Sequence, residues 1–310
     1  MYQRHTTNRS FIDTSEEFKE LGIINHEFML HLIDRDLAYI SPFAVHPKDF
    51  DTQHKVIAEA IANPWYFVRE CTRILQPGMD PISFTLNRDR ATVLWSLFEG
   101  YSTVTVHPRQ SGANIIGLIN SMWRLLSGTR TPIHRDSRYT TSNYIRQQLK
   151  NMVSMLPKYI QPYIFADRAI YSYSTVSRRG NTISKPVPLV NRSFVVVSDA
   201  VFQNDLKTTL DAIAKYRNNI LPTIQQYIHT TGKLFESEAD FKRQVDALFH
   251  NTRKFEYTML DQQPFSSRMS QLLRVDMFTD AEYPIEDYAH RRNLSVPEVL
   301  TDMYGQFLIK

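Results

Sequence analysis

Through residues 1–60 the chain is largely polar. Apolar residues recur at three- and four-residue spacing, as in Ser15-Glu16-Glu17-Phe18 and from Glu27 to Leu37, which predicts helix. Pro42, Pro47 and Asp49 break that region into short pieces. A helix follows over 53–75, interrupted at Asn63-Pro64, where Pro64 fits a first helical turn and Asn63 its N-cap. The cluster Trp65-Tyr66-Phe67 reads as core packing. Residues 91–100 form another helix, from Ala91 to Phe98, closed by Gly100.

The pattern then changes. Ser102-Thr103-Val104-Thr105-Val106 is short, β-branched and bounded by turn residues, which predicts a strand. The polar segment 107–114 follows it, and then a strongly apolar helix from Ile115 to Leu126. Residues 139–165 read as helix with Leu149, Met152, Met155 and Leu156 on the apolar face. Short alternating segments over 169–188 flank a hairpin turn at Arg178-Arg179-Gly180-Asn181. Phe194-Val195-Val196-Val197 is a second buried strand, closed by Ser198-Asp199-Ala200. A helix from Leu206 to Tyr216 leads to a third strand, Tyr227-Ile228-His229, ending at Thr230-Thr231-Gly232. The tail from 236 reads as helical and charged, with an acidic stretch from Asp276 to Asp287.

Three strands, each followed by helix or loop, predict an α/β fold: a mostly parallel sheet flanked by helices on both faces. The expected organisation is a helical N-terminal region (1–60), a core (61–250) and a helical C-terminal extension (251–310). No repeat or low-complexity segment is visible. The 310 residues are 42% hydrophobic and 22% charged, which excludes disordered, collagen-like and coiled-coil classes. The net charge of +4 permits a nucleic-acid partner without demanding one. A single cysteine, Cys71, excludes an intrachain disulfide and a cysteine-rich zinc site, and fits a reducing compartment. The histidines are scattered without zinc spacing. Met1 to Thr7 is polar, with no secretory apolar stretch, and no membrane span is expected.

Ligands of such sheets bind beyond the carboxyl ends of the strands, where three polar tips are expected: 107–114, 198–200 and 229–232. A triphosphate site needs backbone N–H groups at a helix N-terminus, a lysine for the outer phosphates and a hydroxyl for magnesium. It also needs an Asp at a neighbouring strand end for the metal, with a Glu beside it to activate water. Gly112 with the helix start and Asp199 after its apolar strand meet part of that list. Ala113 stands at the lysine position, Asn114 at the hydroxyl position and Ala200 beside the Asp. An ordinary loop before a core helix and a helix-capping Asp are the alternatives for these residues.

Asn63-Pro64-Trp65-Tyr66-Phe67, Phe84-Thr85-Leu86, Pro108-Arg109-Gln110-Ser111-Gly112 and Val195-Val196-Val197-Ser198-Asp199 together resemble the N-terminal ATPase domain of tailed-phage large terminases. That family belongs to the P-loop NTPases of the ASCE/RecA-like kind, and the similarity runs in order over roughly 55–235. The resemblance implies a DNA-packaging motor using ATP and Mg2+, with degenerate Walker motifs. Ser111, Gly112, Ala113 and Asn114 would wrap the outer phosphates through their backbone, with Gln110 in the same loop. Arg109 would sense the γ-phosphate, and Arg90 lies in the strip resembling the adenine-contacting segment. Asp199 would stand by the magnesium, Ala200 occupies the catalytic glutamate's place, and Thr230 and Thr231 would couple nucleotide state to DNA movement. Arg178 and Arg179 read as a solvated hairpin tip before a DNA contact.

Implied partners are double-stranded DNA, a homo-oligomeric ring, and a portal or small terminase subunit. The implied setting is a virus-encoded protein in the host cytoplasm, not at a membrane. Loss of the lysine and the glutamate implies weak nucleotide binding without useful hydrolysis. Alanine at two changed positions suggests deliberate inactivation; Asn114 does not, and natural divergence is equally open. A non-enzymatic scaffold with a degenerate P-loop and an active helicase-like translocase are the competing functions. The family's C-terminal nuclease carries a carboxylate cluster, for which only Asp276, Asp280, Glu282, Glu286 and Asp287 qualify. With no strand expected before them, they read as a solvated face. The whole reading requires the 109–114 turn and Asp199 to lie side by side, at the mouth of adjacent strands.

Overall fold

The computed structural model describes residues 2–3, 6–75, 80–107, 111–177, 179–190, 192–219, 224–249, 272–276, 295–304 and 307–309. Only the backbone is described at 2–3, 176, 214–219, 249, 272–276 and 302–304. Two short antiparallel ribbons precede the main sheet: β1 (Tyr2–Gln3) with β2 (His31–Leu32), and β3 (Arg73–Ile74) with β4 (Ile82–Ser83). The main sheet takes β5 (Ser102–Val106), β6 (Thr131–Asp136), β7 (Ile170–Val176), β8 (Thr182–Ser184), β9 (Ser193–Val197) and β10 (Gln225–Thr230). After the short β11 (Lys233–Phe235) it also takes β12 (Leu272–Asp276), while β11 pairs in parallel with β13 (Phe307–Ile309). The order across the sheet is β12-β5-β10-β9-β6-β7-β8, and every neighbouring pair is parallel except the β7–β8 hairpin.

Helices cover both faces: α1 (Arg9–Glu20), α2 (Phe50–Ala62), α3 (Pro64–Tyr66), α4 (Arg88–Phe98), α5 (Ala113–Ser127), α6 (Tyr139–Ser154), α7 (Leu206–Asn219) and α8 (Glu238–Phe249), with α9 (Val296–Tyr304) before β13. The apolar run of β9 shows why. Phe194 and Val196 enter one core with α1, α2, α4, α5 and α6, while Val195 and Val197 enter a second core with Leu206, Ile213 and Leu248. Side chains alternate across a strand, so a strand covered on both sides is apolar throughout. Helix α5 lies close against the sheet because Gly117 has no side chain. A Cβ there would stand 3.2 Å from Val196 Cγ1 and 3.5 Å from the Tyr227 ring. The α/β class with a mostly parallel sheet is the one expected.

Local signals place several boundaries. Asn63 Oδ1 accepts from the Tyr66 N–H at 3.1 Å, the cap expected before Pro64. Gly100 takes φ +89 after α4, and Gly112 and Gly128 take φ +92 and +64 at the two ends of α5.

Other expectations need correction. The helix expected to reach residue 75 ends in a π-helical turn at Phe67–Cys71, and Arg73–Ile74 pair with Ile82–Ser83 instead. The helix expected over 139–165 stops at Ser154, three residues before Pro157, which cannot continue it. Strand β6 was not expected at all, because His134, Arg135 and Asp136 interrupt its apolar pattern. All three are buried. The acidic stretch does have a strand leading into it: β12 runs beside β5 with Asp276 opposite Val106. Arg178 and residues 280–287 lie outside the described residues, whereas Arg179 is exposed beside the expected hairpin turn.

Candidate functional site

Strands β5, β10, β9 and β6 end together, since Thr230 is in register with Val106, and Ile228 and Arg135 with Val197. The three expected polar tips therefore emerge at one edge of the sheet. A fourth joins them: Asp136-Ser137-Arg138, between β6 and α6.

On the β5 side, His107 and Ser111 flank Pro108, Arg109 and Gln110, which lie outside the described residues. The loop is tied to the sheet by a chain of side chains. Ser111 Oγ and His107 Nδ1 are 3.0 Å apart, and His107 Nε2 and His229 Nδ1 are 3.2 Å apart. The His107 N–H also donates to Thr230 O at 3.0 Å. Burial, then the neighbouring His107, holds His229 well below the usual imidazole range. From the other side, Arg90 Nε and Nη2 donate to Ser111 O at 3.3 and 3.2 Å, and its Nη1 donates to Thr85 O. Arg90 thus braces the loop, lying over the Phe84 ring at 5.7 Å. Ala113 is buried in the first turn of α5, where its carbonyl accepts from Tyr227 OH, while Asn114 is exposed.

On the β9 side, Asp199 takes φ +48, a left-handed conformation that Asp adopts more readily than most residues. Non-glycine residues held there cluster at functional sites. The turn after it is fixed by Phe202 N to Asp199 O at 2.9 Å and by Gln203 Nε2 to Ser198 O at 2.9 Å. An ion pair from the buried Arg135, Nη2 to Oδ2 of the half-buried Asp205 at 2.5 Å, ties the segment to β6. Burial pushes the Asp136 carboxyl up to about 6, and the charge of Asp199 adds to the push.

Between these walls lies a cavity of about 780 Å³, within the range of small-molecule sites. Of the residues expected, Asn114, Asp199 and Thr231 line it together with His107. Ala200 is fully buried in the second core, and Thr230 is buried with its hydroxyl bonded to Thr231 O and accepting from the Val201 N–H. Sequence reasoning missed Ser137, Arg138, Thr141, Thr175, Phe202 and Asn204, which complete the lining. One signal was available: Asp136-Ser137-Arg138 stands directly before a helix, as the 107–114 segment does. The expected neighbourhood of the 109–114 turn and Asp199 needs one correction. Asn114 and Asp199 share the cavity, but their strands are not adjacent, because β10 runs between β5 and β9. Among the described residues, no group of three or more His, Cys, Asp or Glu side chains could hold a metal ion, and no helix is long and apolar enough to cross a membrane.

No family model matches the chain, and no curated protein matches it in sequence. Among solved structures, the chain is similar to a single-residue variant of the large terminase ATPase domain from Thermus phage P74-26. The identity is 12% over 73% of this chain and 95% of that one, with a TM-score of 0.45. It is also similar to another structure of that domain, at 11% identity over 67% and 88% of the two chains and a TM-score of 0.37. A third similar structure is the large terminase of a thermophilic bacteriophage in complex with ADP, at 10% identity over 72% of this chain and 54% of that one, with a TM-score of 0.40.

Proposed function

We propose that the chain is the ATPase-type motor domain of a viral DNA-packaging terminase, laid out to bind ATP and impaired in hydrolysing it as written. One observation carries this reading: a single cavity at the carboxyl edge of a parallel sheet, with the first turn of α5 on one wall and Asp199 on another. A 15-residue helix presents unpaired N–H groups and a partial positive charge at its start. The left-handed Gly112 opens that helix without a side chain, beside the Arg90 guanidinium. Asp199, with the Asn114 amide, would hold a magnesium ion through its water shell. When bound, that ion neutralises charge on the phosphates.

The rest of the chain fits the reading at some points and not at others. Arg109 and Gln110, outside the described residues, would have the roles that the resemblance gives them, and Thr230 and Thr231 would carry a change at the phosphates into β10. Ala113 brings no charge to the triphosphate, a loss of about 2–5 kcal/mol of charge-assisted binding. Ala200 carries no carboxylate and is turned into the core, so it places no base on the attacking water. Double-stranded DNA and a ring of like subunits belong to the same proposal, as does a virus-encoded origin.

The test is steady-state ATP hydrolysis, with and without double-stranded DNA, by the chain and by the Ala113→Lys, Ala200→Glu double variant. The expected result is no turnover above background for the chain and DNA-stimulated turnover for the variant. Robust turnover by the unaltered chain would refute the impairment. Inactivity of both, with no nucleotide bound by either, would refute the ATPase reading itself.

A further inference from the structure

The cavity lacks a lysine on α5, yet an arginine stands elsewhere on its wall. Arg138 belongs to the β6–α6 connection, which the sequence left unassigned, and it lines the cavity with Asn114 and Asp199. Its backbone is anchored on both sides. The Arg138 N–H donates to Asp136 Oδ1 at 3.3 Å, and its carbonyl accepts from the Ser142 N–H at 3.0 Å and the Ser142 hydroxyl at 3.2 Å. The side chain is otherwise uncommitted. Among the described residues Arg138 forms no ion pair and no side-chain hydrogen bond, whereas nearby arginines are engaged: Arg135 with Asp205, Arg90 with Ser111 O and Arg146 with Asp167. An exposed arginine on a fixed backbone, lining the same cavity as the first turn of α5, carries a fork able to contact phosphate oxygens in two places.

We propose that Arg138 supplies, from the β6–α6 connection, the cationic contact to the outer phosphates of a nucleoside triphosphate that the first turn of α5 lacks. The proposal rests on the nucleotide reading above and deepens it. Arg138 is then a phosphate-binding residue, and the site has kept a positive charge while moving it from one βα connection to another. Charge at that position also makes binding depend on phosphate number, because adenosine offers nothing for the guanidinium to reach.

The experiment measures equilibrium binding of a fluorescent ATP analogue in Mg2+, with ATP, AMP and adenosine as competitors. The proteins are the full chain, Arg138→Ala, Arg138→Lys, Ala113→Lys and the Ala113→Lys, Arg138→Ala double variant. Arg138→Ala is expected to weaken ATP binding on the order of 30-fold, in line with loss of one charge-assisted contact. Its thermal midpoint and its adenosine competition should be unchanged, and Arg138→Lys should recover part of the loss. Ala113→Lys should restore ATP binding in the Arg138→Ala background. Equal ATP affinity of the chain and Arg138→Ala would overturn the proposal while leaving the nucleotide reading in place. Parallel loss of adenosine and ATP binding in Arg138→Ala would overturn it too, by making the residue structural. Failure of both the chain and Ala113→Lys to bind any nucleotide would remove the nucleotide reading and this proposal together.

Discussion

His134 and Asp136 lie two positions apart on β6, and burial moves their titrations in opposite directions. Burial pushes the His134 imidazole, hydrogen-bonded to Ser121 Oγ at 3.0 Å, down from 6.5 to about 4. Below pH 6.5 the unfolded chain takes up a proton that the folded imidazole refuses, so stability falls as pH drops from 6.5 toward 4. The Asp136 carboxyl is raised from 3.8 to about 6, so the folded chain holds a proton that the unfolded chain has released. Its contribution is present below pH 4 and is lost as pH rises toward 6. Fully developed, each effect is on the order of 3 kcal/mol, and between pH 4 and 6 they oppose each other. Asp136→Asn should therefore melt higher than the parent at pH 7 and lose stability more steeply on acidification. His134→Gln should flatten the acid limb. Thermal melts from pH 4 to 7 measure both, and variants that track the parent at every pH would contradict the assignment.

Among the elements, the start of α5 is held by side chains from two other segments. Arg90 grips Ser111 from one side and the His107–His229 pair holds it from the other. Gly112 makes this fit possible. Its φ is +92, and a Cβ there would approach Arg90 Nη2 to 3.2 Å. Gly112→Ala is expected to lose about 1–2 kcal/mol of stability from left-handed strain. It should also loosen the Arg90 contact, read as a lower urea midpoint together with weaker nucleotide binding. A variant as stable as the parent would show that the loop can refold around the methyl group. The glycine was legible as a helix start because turn chemistry is local. Strand β6 was not legible, because two of its buried polar residues find their partners outside the strand and its flanks: His134 at Ser121, and Arg135 at Asp205.

For the molecule as a whole, the cavity depends on connections far apart in sequence ending at one edge. Asn114, Arg138, Asp199 and Thr231 follow β5, β6, β9 and β10, whose order is set by pairing across the sheet. A bound nucleotide should therefore slow amide hydrogen exchange at 111–114, 137–141, 199–204 and 231 together, measured with ATPγS and Mg2+ against the free chain. Protection confined to α5 would mean that the ligand does not span the cavity.

The α/β class, the strands at 102–106 and 194–197, the cap at Asn63, the glycine before the apolar helix and the candidacy of Asp199 were all determined by the sequence alone. Each rests on residues within a few positions of one another, where periodicity, β-branching and turn preference act. The placement of β10 between β5 and β9, the strand at 272–276 and the arrival of Arg138 at the cavity were decided only by tertiary structure. Those depend on which strand finds which neighbour. Such pairing is stabilised by contacts between segments a hundred residues apart, which no local window of the chain contains.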